Sequence, residues 1–121
     1  MNDKLLPLLK QWAALEPERC KPYEGQITHL RTIERWLPIN NLEPSWDETA
    51  KIQRLVQEAI ISRKLRSRME STPEGHHHAT LLDLHGGCHA IGDDTEPAIA
   101  LLQAYVSYLE QVAAKKQGAV A

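Results

Sequence analysis

The sequence predicts an all-α fold, a small bundle of four main helices with a long central helix and a His-rich connecting segment. Three observations carry that expectation. The run from Ser45 to Ser71 has helical spacing and neither Gly nor Pro, which makes it the longest uninterrupted stretch in the chain. Upstream, Leu5, Leu8, Leu9, Trp12 and Leu15 recur at the i, i+3, i+4 intervals of one buried helix face. Downstream, Ala98, Leu101, Leu102, Tyr105, Leu109 and Val112 do the same.

Taken in order, the first helix is expected over Asp3 to Leu15, capped by Asn2 or Asp3, with Pro7 tolerated in the first turn and Glu16-Pro17 as the stop. Residues 16–25, EPERCKPYEG, read as a linker. A second helix over Gln26 to Leu37 rests on Ile27, Leu30, Ile33 and Leu37, and Pro38 ends it. The third and longest spans Trp46 to Glu70, with Ser45 and Glu48 as a capping box and Arg63, Lys64, Arg66 and Arg68 suited to its negative end. Its apolar stripe of Ile52, Leu55, Val56, Ala59 and Ile60 stops there: Arg63 and Arg66 continue the same angle, while Ile61, Leu65 and Met69 fall opposite. The core face therefore ends near Ile60.

Residues 72–95 are expected to be irregular, the alternative being a small hairpin joining Thr80–His85 to Cys88–Ile91 through Gly86-Gly87. The last helix, Glu96 to Lys116, is capped by Asp94 or Thr95 and carries Pro97 in its first turn; residues 117–121 read as a frayed tail. Ile99, Val106 and Tyr108 widen its apolar face, so it is either central in its own bundle or shared with a second subunit.

With 121 residues the chain is read as one domain, 1–121, large enough to build a core without metal or disulfides. Fourteen basic against sixteen acidic residues give a net charge of −2, so no global field holds it on nucleic acid or an anionic membrane. Two distant cysteines, Cys20 and Cys88, suggest reduced thiols in a cytoplasmic protein. No run approaches the ~18 apolar residues of a membrane span, and the N-terminus lacks the pattern of a signal peptide.

Five of the six His lie between His76 and His89, and His85-x2-Cys88 has the spacing of half a zinc site, with His76, His78 and His89 as further candidate ligands. The simpler reading is a solvated polar loop, and no cofactor is expected in the first instance. Arg63, Lys64, Arg66 and Arg68 make a local basic cluster that nucleic acid could meet, although a solvated helix end accounts for it too. There is no nucleophile elbow, phosphate loop, dinucleotide fingerprint or H-E-x-x-H. The expected function is thus a small non-enzymatic binding or regulatory protein that meets a protein partner or its own copy through Leu65, Met69, Ile99, Val106 and Tyr108. A metal-binding module ranks second and a nucleic-acid binder third.

Overall fold

In the computed structural model, described over residues 4–23, 25–32, 35–39 and 46–120, the chain is a mixture of helix and antiparallel sheet, and the all-α expectation is overturned. The order is α1 (Leu5–Leu15), β1 (Cys20–Tyr23), β2 (Gln26–Arg31), β3 (Trp36–Pro38), α2 (Trp46–Ser62), β4 (Arg66–Ser71), β5 (His77–Leu82), β6 (Cys88–Asp94) and α3 (Pro97–Val120). Strands β1-β2-β3 form one antiparallel sheet and β4-β5-β6 another. The caps expected from Asn2, Asp3 and Ser45 lie outside the described residues.

The expected second helix is instead strand β2 and its neighbours. Ile27 and Leu30, three apart and both buried, mimic helical spacing. Their shared face comes from a bulge: Pro22 pairs with Ile27 but Lys21 with His29, so Thr28 is an extra residue that resets the alternation. Cys20, opposite Leu30, is buried on that same face.

The long helix ends eight residues early, at Ser62. Lys64 adopts φ 60, the Leu65 N–H donates to the Ile60 carbonyl at 3.3 Å, and the Lys64 N–H donates to the Ile61 carbonyl at 2.9 Å. These two bonds and the left-handed residue make a Schellman stop, in which the residue beyond the turn packs back on the last helical turn. Leu65 fills that place, and both it and Ile60 are buried. The change of face after Ile60 is therefore a chain reversal, and the residues after it run as strand β4.

The His-rich segment is a three-stranded sheet with β5 and β6 joined near Gly86-Gly87, so the irregular reading gives way to the hairpin, longer than expected and extended by β4. A second bulge, at His89, separates the Leu81–Ala90 pair from Leu82–Cys88. Helix α3 packs on β5 and β6 and also against α1 and α2. Nine of the twelve residues from Ala98 to Leu109 are buried, which only a helix covered on all sides can achieve. Of the two alternatives for this helix, it is central in its own fold. The stretch expected as a tail remains helical to Val120.

Gly92 sets how closely β6 approaches α3. A Cβ there would lie 2.8 Å from the Ala104 nitrogen and closer still to the Ala100 carbonyl oxygen, so the strand backbone rests directly on two small helical residues.

Candidate functional site

Glu16, at the C-cap of α1, is 3% exposed and lies among donors from three elements. Its Oε1 accepts from Trp12 Nε1 at 2.9 Å and from the Tyr105 hydroxyl at 2.6 Å. Its Oε2 accepts from Arg63 Nη2 at 2.6 Å and Nε at 3.0 Å, and Arg63 Nε also reaches the Tyr105 oxygen at 3.1 Å. Burial pushes the carboxyl upward, but the hydrogen bonds from Tyr105, Trp12 and Arg63 outweigh it and hold Glu16 below the ordinary carboxylate range. Burial and the neighbouring carboxylate push the Tyr105 hydroxyl up, so it stays protonated and donates. This network joins the start of the chain to its last helix: Tyr105 stands edge-on to Trp12 at 5.8 Å and stacks on Tyr108 at 6.5 Å, and Tyr108 meets the His89 ring at 6.0 Å.

Beside the network opens a cleft of about 500 Å³ lined by Glu18, Arg19, Arg31, Thr32, Glu58, Ile61 and Ser62. Arg19 forms its inner wall, with Nη2 donating to Ser62 Oγ at 2.6 Å and Nε 3.6 Å from Glu16 Oε1. Arg31 lies over Trp36, 5.7 Å from the ring centre, and its backbone N–H binds the Arg19 carbonyl at 2.8 Å. Ile61 is 69% exposed, a large apolar side chain left uncovered in the last turn of α2. Glu58 Oε2 is shielded from solvent and has no hydrogen-bond partner among the described residues. A shielded oxygen without a donor is costly, and a ligand N–H meets this one only once the Glu58 side chain turns toward the cleft.

The residues singled out from sequence fall elsewhere. Leu65, Ile99 and Val106 are buried in the chain's own core, which covers them without a partner, and Met69 and Tyr108 are half-buried against it. Arg63 is engaged by Glu16 and Tyr105. Lys64 occupies the helix stop, while Arg66 and Arg68 are exposed on β4 with Arg68 3.4 Å from Glu70. The basic helix end expected to meet nucleic acid is thus a turn and a strand of mixed charge.

The candidate metal ligands are also divided. His76 and His78 lie 3.4 and 3.2 Å from the two oxygens of Asp93, and His89 lies 3.3 Å from Asp83 Oδ2. His85 and Cys88 are exposed. The turn between them is closed by Asp83 Oδ1, which accepts from the His85 and Gly87 N–H groups at 2.8 Å each, with Gly86 at φ 87. Those two backbone bonds hold Asp83 below the usual carboxylate range. Among the described residues no three His, Cys, Asp or Glu side chains converge as a metal site. Both cysteines are free, and burial pushes the Cys20 thiol up.

Sequence reading missed Glu16, Arg19, Arg31 and Glu58. Glu16 looked like a helix stop, and its partner Tyr105 is 89 residues away, which leaves no local signature. Compared with protein-family models, curated proteins and solved structures, the chain gives no match.

Proposed function

We propose that this chain is a non-enzymatic binding protein that receives a short extended segment of a partner protein in the cleft between the α1–β1 turn, the end of β2 and the end of α2. The observation that carries the reading is Ile61, left 69% exposed in a cleft whose lining also offers two guanidinium groups and the Glu58 carboxylate. A cleft of about 500 Å³ falls in the size range of ligand sites, in which a few fixed polar groups orient an otherwise apolar contact. Two Arg and two Glu in the lining suit neither a simple anion nor a simple cation. Polypeptide supplies both halves of the match: its N–H groups donate to Glu58, its carbonyls accept from Arg31, and an apolar side chain covers Ile61. Arg19, held by Ser62 and the Glu16 network, gives the wall a fixed shape before the partner arrives, which lowers the ordering cost of binding.

The test is selection from a displayed library of random linear peptides against the parent protein and against Ile61→Asp. Ile61 is exposed, so the substitution leaves the core untouched. The expected result is a family of peptides that bind the parent, perturb the backbone NMR signals of Arg31, Ile61 and Ser62, and lose affinity for Ile61→Asp and Glu58→Gln. Failure to enrich peptides, or binders indifferent to both substitutions, would overturn the proposal.

A further inference from the structure

Strand β4 contributes no residue to the cleft lining. It is the edge of its sheet, its pairing with β5 is unbroken from Arg66 to Ser71, and it contains neither Pro nor Gly. Every residue in it is exposed except Met69, which is half-buried. Among the described residues no strand pairs with its free edge. Such an edge is a ready template for another strand unless charge or a bulge blunts it.

The charges on β4 select one partner. Arg66, Arg68 and Glu70 share the face that carries Thr80 and His78 opposite them on β5, whereas Met69 pairs with buried Ala79 on the packed face. We propose that the free edge of β4 pairs antiparallel with the same strand of a second copy, Met69 opposite the second copy's Met69 on the two-fold axis, to give a continuous six-stranded sheet. In this register Arg68 stands opposite Glu70 of the other copy, twice, and Met69 covers its counterpart. Side chains directly opposite must share a face, so the neighbouring registers slide by two residues in total. One of them sets Arg68 against Arg68 between two Arg66–Glu70 pairs, the other sets Glu70 against Glu70, and in both the like charges on the axis oppose pairing, which the Met69-centred register avoids. The favoured register is thus the one in which the ion pair now held within a strand, Arg68 to Glu70 at 3.4 Å, is exchanged between copies.

Sedimentation equilibrium over a concentration series reads this, with circular dichroism to verify folding. The parent is expected as a dimer in equilibrium with monomer. Arg68→Glu and Glu70→Arg, each placing like charges opposite one another twice, should weaken association by about tenfold or more, since the sign of two cross-strand charge pairs is reversed. The double exchange Arg68→Glu with Glu70→Arg restores complementarity and should return the dissociation constant toward the parent value. That rescue is a readout a general surface effect would not give. A parent that stays monomeric near 1 mM, where even a 1 mM dissociation constant leaves a large dimer fraction, overturns the proposal. A dimer indifferent to the single changes, or one the double exchange fails to restore, overturns the pairing itself.

Discussion

Replacing Lys64 by Gly should stabilise this protein, although the same change in a continuous helix would do the opposite. At φ 60 the Lys64 Cβ crowds the following carbonyl, which costs about 1–2 kcal/mol for an L-residue, and Gly removes that cost. Against it stands the greater freedom of Gly in the unfolded chain, about 0.5–1 kcal/mol. Lys64 is exposed, so no packing is lost. The net expectation is a gain of about 0.5–1 kcal/mol, or roughly 2–4 °C in Tm for a chain of this size. Were residues 46–70 one helix, Lys64→Gly would lie in its interior and destabilise by about 1 kcal/mol. Urea unfolding of parent and variant, followed by circular dichroism, measures the difference, and its sign decides. A lower midpoint for Lys64→Gly would refute the account of the helix stop.

Two further changes probe the core and the network. Gly92→Ala forces a methyl group against the Ala100 and Ala104 backbone, so β6 must lift from α3; a loss of about 3 kcal/mol is expected, and a variant as stable as the parent would contradict the close approach. Glu16→Gln should destabilise by about 2–3 kcal/mol at neutral pH, because Arg63 keeps its burial and loses its counter-charge. The carboxyl titrates lower in the folded state, so the unfolded chain takes up its proton first: the stabilisation from Glu16 is complete above the unfolded value near ~4.3 and lost as pH falls through the folded one. The gap between parent and Glu16→Gln stability curves should therefore narrow as the solution is acidified below about pH 4, and a gap constant from pH 7 to pH 3 would count against the network.

Much of the helical part was readable because its periodicity is undisturbed. Leu5, Leu9 and Trp12 of α1 face the core as expected, and the breadth of apolar surface on α3 left open a central or a shared position, of which the structure takes the first. The strands were hidden by particular residues. An extra Thr28 gives β2 the spacing of a helix, and a Lys in a left-handed turn ends α2 without the Gly that usually marks such a stop. The change of face after Ile60 was visible, but the helix was expected to run on to Glu70, because the reversal depends on a backbone angle that composition does not encode. The site was less legible than the fold. Glu16, Arg63 and Tyr105 sit on three elements far apart in the chain, and the Arg19–Glu58 cleft exists only after a bulged strand and a helix end are brought together.

The central position of α3 bears on how this protein is made. Every element that α3 covers precedes it, so α1 leaves the ribosome long before its cover exists. Glu16 and Tyr105 are 89 residues apart, an interval of roughly 4–18 s at 5–20 residues synthesised per second. Throughout that interval Leu5, Leu9 and Trp12 have only the first sheet to turn to. The nascent chain therefore offers chaperones an apolar N-terminal helix for seconds, and the last helix to emerge ends the opportunity.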